Sequence, residues 1–235
     1  VNDKGATTVP TVSIPGSPVR SATRNTGIRL TCEAFVQSCS GGKSSLYLDY
    51  HWKVQEVSGQ LQSTEFISKS RDPRTFSLSA YNLLANTRYR ITVRVIYKGV
   101  ESPYSKASVI IDVTQQNIVP IIKGGEHKDV FKGSSFMLDA SNSYDEDVQD
   151  QTGAAVGLSF RWSCNQLSPL FTTDCDSFEP LEDYNGEVLY LTALSDDAVL
   201  NSISRFTVNV FDETRGATAI IDVVISDTIK PTLFI

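Results

Sequence analysis

Oxygen-bearing side chains crowd one stretch of the chain: Asp139, Asn142, Ser143, Asp145 and Asp147, with Asp212 further along. Hard carboxylate and carbonyl oxygens at that density are what Ca2+ selects. Asp145 and Asp147 would supply carboxylates, Asn142 a carbonyl, and Asp212 would approach from a second segment. Calcium is therefore the one candidate cofactor. The plainer alternative is that Asp139 and Ser141 satisfy the amides of a turn while the acidic tip is simply solvated.

The remaining reactive residues are few. Four cysteines form two close pairs, Cys32 with Cys39 and Cys164 with Cys175. Such an even, local count suits disulfides in an oxidising compartment. Zinc is a weaker alternative, because structural zinc usually draws on tighter C-x(2–4)-C knuckles, and buried free thiols are a third reading. The two histidines, His51 and His127, fall far apart, the second in a loop rich in glycine and lysine. No G-x-S-x-G elbow and no phosphate-cradling glycine loop occurs, so catalytic residues are expected to be absent. No N-x-[ST] acceptor is present either.

The elements that must position these residues are strands. Leu46, Leu48, Tyr50, Trp52 and Val54 alternate with polar residues, as do Tyr89, Ile91, Val93 and Val95, and then Val109, Ile111 and Val113. Phe160, Trp162 and Cys164, followed by Phe206, Val208 and Val210, repeat the pattern in the second half. Period-two alternation predicts half-buried strands and an all-β chain. Trp52, Tyr89 and Trp162 are expected in the cores. One short helix, or equally a loop, is predicted over 194–200, opened by Ser195, Asp196 and Asp197.

The chain has 235 residues, a size that suits two domains of about 110 residues each. A repeat supports this. Ile110-Ile111-Asp112-Val113 precedes Pro120 much as Ile220-Ile221-Asp222-Val223 precedes Pro231, and each of Pro10, Pro120 and Pro231 opens a short apolar run. The expected boundaries are 1–116, 117–228, and a segment 229–235 that begins a further module. The net charge of −6, taken as spread over the chain, implies no basic stripe. That argues against a nucleic-acid partner and against anionic membranes. Attachment to a membrane would come only through regions outside this chain.

Leu83-Leu84-Ala85-Asn86-Thr87-Arg88-Tyr89 resembles the approach to a late strand of fibronectin type III modules, in which the tyrosine ties the loop to the sheet. Leu138-Asp139-Ala140-Ser141-Asn142-Ser143-Tyr144-Asp145-Glu146-Asp147 resembles the L-D-A-S-x-S-x-D-x-D signature of PKD repeats. Leu158-Ser159-Phe160-Arg161-Trp162 and Phe206 to Asp212 match later strands of the same family. Trp162-Ser163-Cys164, with Cys175 following, resembles the REJ (receptor for egg jelly) region of polycystin-like proteins.

The resemblance implies two tandem immunoglobulin-like sandwiches, the first fibronectin III-like and the second PKD/REJ-like, in an extracellular setting. It also implies disulfides Cys32–Cys39 and Cys164–Cys175, since Ile91 stands where an immunoglobulin domain would place a cysteine. Calcium sites in some PKD-like modules lend weight to the acidic cluster. The expected role is a non-enzymatic structural or adhesive spacer of a larger surface or filament protein. Its partners would be other modules of the same chain, or a second copy. A glycan- or protein-binding receptor module and an accessory region of a secreted enzyme are the alternatives.

Overall fold

The computed structural model describes residues 9–37, 42–57, 66–99, 102–181, 183–196 and 198–227. The proposed start of a further module, 229–235, lies outside them. Two compact units divide between Gln116 and Asn117, and strands make up nearly all the regular structure of both.

The first unit contains β1 (Thr11–Ser13), β2 (Val19–Thr23), β3 (Ile28–Thr31), β4 (Glu33–Gln37), β5 (Lys43–Ser44), β6 (Leu48–Glu56), β7 (Thr75–Leu78), β8 (Thr87–Tyr97) and β9 (Tyr104–Thr114). The longest strands build a four-stranded sheet in the order β2-β9-β8-β6, and the others form β1-β4-β5 and β3-β7. The alternating residues face inward: Ile91, Val93, Val95, Val109, Ile111 and Val113 are fully enclosed. Ile91, Val109, Ile111 and Val113 pack against Leu30, Phe76 and Leu78 from the facing strands, and Val93 and Val95 against Cys32 and Ala34, in the sandwich arrangement of immunoglobulin-like domains. Tyr89 is buried among them, and its hydroxyl accepts the Leu84 N–H at 3.1 Å. That bond ties the 83–86 loop to the sheet.

Two expectations for this unit need correction. β6 begins at Leu48, leaving Leu46 68% exposed. Tyr47 between them adopts a left-handed φ of 61°, which interrupts the extended run. Trp52 is half-buried rather than central, lying on Phe76 at 5.5 Å between ring centroids and donating its Nε1–H to the Pro73 carbonyl.

The second unit contains β10 (Ile118–Val119), β11 (His127–Phe131), β12 (Ser135–Asp139), β13 (Tyr144–Asp145), β14 (Ser159–Ser168), β15 (Phe178–Pro180), β16 (Val188–Ala193), β17 (Ile203–Phe211) and β18 (Gly216–Ser226), with one 3-10 turn at Gly153–Val156. Its sheets run β11-β18-β17-β14, β12-β16-β15 and β10-β13. Trp162, Phe206, Val208 and Val210 meet Leu138, Leu189 and Leu191 in one core. His127 lies in β11 rather than a loop, and Pro120 to Ile122 follow a strand instead of opening one. The described part of 194–200 is loop, not helix.

The two units share a topology. In each, an early strand pairs in parallel with the last: Val19 to Thr23 with Ile110 to Thr114, and His127 to Phe131 with Asp222 to Ser226. This register equates Ile110 with Asp222, whereas the matching Ile-Ile-Asp-Val sequences equate Asp112 with Asp222. The motif match is thus out of structural register by two residues. Because side chains alternate with period two, the slip leaves inward and outward faces unchanged.

Charge divides sharply between the units. The first has 14 Lys and Arg against 8 Asp and Glu, a net of +6, and the second has 7 against 19, a net of −12. The overall −6 is a difference between opposed halves, not an even spread.

Candidate functional site

Three of the five expected oxygen ligands do converge, but on a cation that belongs to the chain. β17 ends at Phe211, and Asp212 opens the hairpin into β18 by accepting the N–H groups of Thr214 at 2.7 Å and Arg215 at 2.9 Å. This self-capped turn aims Arg215 back across the unit. Its Nε meets Asp212 Oδ2 at 2.9 Å, Nη2 meets Asp145 Oδ2 at 2.5 Å, and Nη1 meets Asp147 Oδ2 at 3.2 Å. The side chains of Asp145 and Asp147 are only 11% and 5% exposed.

Charged groups this far removed from water carry a large desolvation cost that a close opposite charge must offset. Arg215 supplies it, with the planar fork that fits several carboxylates at once. Burial alone pushes the Asp212 carboxyl upward; the Thr214 and Arg215 amides and the guanidinium outweigh it and hold the group at about 2.

Asp139 stands apart. Its Oδ1 accepts the Ser141 N–H at 2.9 Å, and its Oδ2 pairs with Lys123 Nζ at 2.8 Å. Here too burial pushes the carboxyl up, and the contacts with Lys123 and Ser141 bring it below its usual range. Ser143 is buried, donating to the Ala140 carbonyl at 2.7 Å and accepting the Ile121 N–H at 3.0 Å. Asn142 is exposed in the turn.

The expected calcium set, Asp139, Asn142, Asp145, Asp147 and Asp212, is therefore divided. Two carboxylate groupings face two different cations, and the carbonyl donor joins neither. Among the described residues, no group of three or more His, Cys, Asp and Glu side chains is arranged to hold a metal ion. Calcium would have to displace the Arg215 guanidinium. Arg215 and Lys123 are the residues that sequence reading missed. Asp212-Glu213-Thr214-Arg215 marks a turn-forming aspartate followed by a cation on the hairpin's return, but not the distant carboxylates that the cation meets.

Of the two expected disulfides, Cys164–Cys175 is formed and joins β14 to the segment leading into β15. Cys32 is a free cysteine, buried between β3 and β4, with its N–H bonded to the Arg74 carbonyl. The expected Cys32–Cys39 bond is thus not made, and Cys39 itself lies outside the described residues. Burial raises the Cys32 thiol to about 11, which keeps it protonated and unreactive at neutral pH.

Fold and site together define an immunoglobulin-like β-sandwich tandem whose polar cluster is a structural ion-pair network. The chain belongs to the REJ domain family, whose model matches residues 36–235, and it is an extracellular-type β module of that family. Among solved structures, it is similar to titin domains Z1Z2 in complex with telethonin at 13% identity, covering 92% of this chain and 96% of that one, with a TM-score of 0.42. It is also similar to the protocadherin GammaB4 extracellular domain, at 15% identity and a TM-score of 0.36, covering 97% of this chain and 36% of that one. The chain thus spans about a third of the protocadherin's length. No helix among the described residues is long and apolar enough to cross a membrane.

Proposed function

We propose that the chain is a non-enzymatic, extracellular structural and adhesive spacer within a larger surface protein. One observation carries this reading, the parallel pairing of β2 with β9 and of β11 with β18. Each unit's early strand and last strand are hydrogen-bonded neighbours running the same way. Tension applied along the chain pulls such a pair in opposite directions along its own axis. The whole ladder is then loaded in shear, instead of being unzipped one bond at a time.

The polar chemistry supports the same reading. The acidic cluster neutralises Arg215, Asp139 neutralises Lys123, and the Cys32 thiol is protonated. An outside location accords with the disulfide Cys164–Cys175.

Stretching single chains tethered at both ends tests the proposal. Two separate unfolding events are expected. Ser21→Pro in β2, which disrupts the ladder facing Asp112, should lower the force of one event and leave the other unchanged. Unfolding at low force without discrete events, or no response to this variant, would remove the tension-bearing role.

A further inference from the structure

The outer face of the four-stranded sheet in the first unit carries a cluster of basic residues, set apart from the Arg88–Asp112 pair, bonded at 2.8 Å, and from Asp49 toward the start of β6. Strand register places His51 opposite Arg94, and Arg94 opposite Lys106. Lys53 and Arg90 lie on the same face, in rows two and four residues along. These five residues line an open cleft of about 560 Å³, together with neutral or aromatic neighbours and without any Asp or Glu. His51, Lys53, Arg90 and Lys106 are exposed, and no carboxylate pairs with Lys53, Arg90 or Lys106 among the described residues.

The second unit shows that the topology does not demand this. At the equivalent register, Arg205 faces Asp222 and is paired with it at 2.7 Å, whereas Arg90 faces Ile110. The same comparison, anchored on Trp52 and Trp162, puts Ser163 where Lys53 stands and Asn209 where Arg94 stands.

The complementary surface is on the second unit. No Lys or Arg occurs from 162 to 204, a stretch with eight acidic residues. Asp174, Asp176, Glu179 and Asp183 are exposed, gathered around β15, the edge strand of its sheet. None of the four has an ion-pair partner among the described residues.

We infer that the basic face of the first unit docks the acidic β15 edge of the second unit of another copy. This gives the adhesive half of the proposed function a partner, and it rests on that reading. Charge complementarity selects the occupant, since +6 and −12 reside on opposite units of one chain. Because the two surfaces differ and lie on different units, each copy offers both halves of the contact: two copies can pair reciprocally, or several can link head to tail in a ring or an open chain.

Sedimentation velocity on the 235-residue chain over a range of concentrations tests the inference. At about 0.01 M salt, where the Debye length is roughly 30 Å, dimers or larger species should form; at about 1 M salt they should dissociate. Lys53→Glu, Arg90→Glu and Lys106→Glu together should weaken association at least about tenfold, and so should Asp174→Lys, Asp176→Lys and Glu179→Lys together. An equimolar mixture of these two triple variants should associate again, because one then carries two acidic surfaces and the other two basic ones. Circular dichroism verifies that both variants fold.

A chain that stays monomeric at low salt overturns the inference, as does a basic-face variant that associates like the parent. A heparin oligosaccharide bound by a chain that remains monomeric assigns the face to a polyanion instead, and also overturns it. In any of these cases an unchanged two-event stretching trace leaves the spacer role standing.

Discussion

The guanidinium of Arg215 reaches back 70 residues to the carboxylate of Asp145. This contact joins the β17–β18 hairpin to β13, and with Asp147 and Asp212 it places one cation among three acids in a largely enclosed corner of the second unit. The local sequence that resembles a ligand loop is therefore one half of an internal ion-pair network.

Removing the cation should leave Asp145 and Asp147 buried and uncompensated. Arg215→Ala should cost about 3–5 kcal/mol in urea unfolding of the full chain, in the transition assigned to the second unit. Arg215→Lys, which keeps the charge but loses the fork, should cost less. In the parent protein, millimolar calcium and a chelator should give the same melting temperature. A rise with calcium would show that the ion displaces Arg215.

Acid should weaken the same unit. Asp212 titrates at about 2 in the folded chain, and the Asp139 and Asp222 carboxyls are also lowered. Ordinary unfolded carboxyls titrate near 3.9. A depressed folded value contributes stability that is complete above the unfolded value and lost as pH falls through the folded one. The second unit should hence weaken from about pH 4 down to about pH 2, and Asp212→Asn should flatten that dependence. Fluorescence-detected denaturation at closely spaced pH values measures it.

How much of this was readable from sequence follows from the range of the interactions. Strand faces were readable because alternation is local: Ile91, Val93, Val109, Phe206 and Val208 are enclosed as expected. The tie from Tyr89 to Leu84 spans five residues and was equally visible. Arg215 was not, because nothing in the run from Asp139 to Asp147 indicates which distant cation the fold will deliver. The strand start at Leu46 failed for a different reason, since a single left-handed residue, Tyr47, ends an alternation that composition alone would extend. The basic face was hidden by taking net charge over the whole chain, where the surplus at Lys53, Arg90 and Lys106 cancels against the acidic second unit.

The two tryptophans should behave differently. Trp162 is 3% exposed and bonded through Nε1 to the Gly186 carbonyl at 3.0 Å, so Trp162→Ala should cost about 3–5 kcal/mol. Trp52 is half-buried at the edge strand β6 and should cost less, nearer 2 kcal/mol. Denaturant titrations of both variants check the order, and an equal or reversed ranking would contradict the burial of the two side chains.

Thiol chemistry separates the two cysteine pairs. In the folded chain without reductant, a thiol reagent at pH 8 should not label Cys32, because burial keeps its thiol protonated and covered. After unfolding in guanidinium, still without reductant, Cys32 should react while Cys164 and Cys175 stay blocked. A Cys32–Cys39 bond would instead leave all four silent. Closing a loop with a sequence separation of 11 should contribute about 2.5–3 kcal/mol on the chain-entropy model, so Cys164→Ser with Cys175→Ser should destabilise the second unit by about that amount. Cys32→Ala removes no cross-link and little buried volume, so its cost should be smaller, about 1 kcal/mol, and confined to the first unit. Peptide mapping of the labelled chain, combined with unfolding curves of the two variants, reads both outcomes: labelled Cys164 or Cys175 would exclude the bond between them, and a Cys32→Ala variant as unstable as the double serine variant would mean that Cys32 is cross-linked after all.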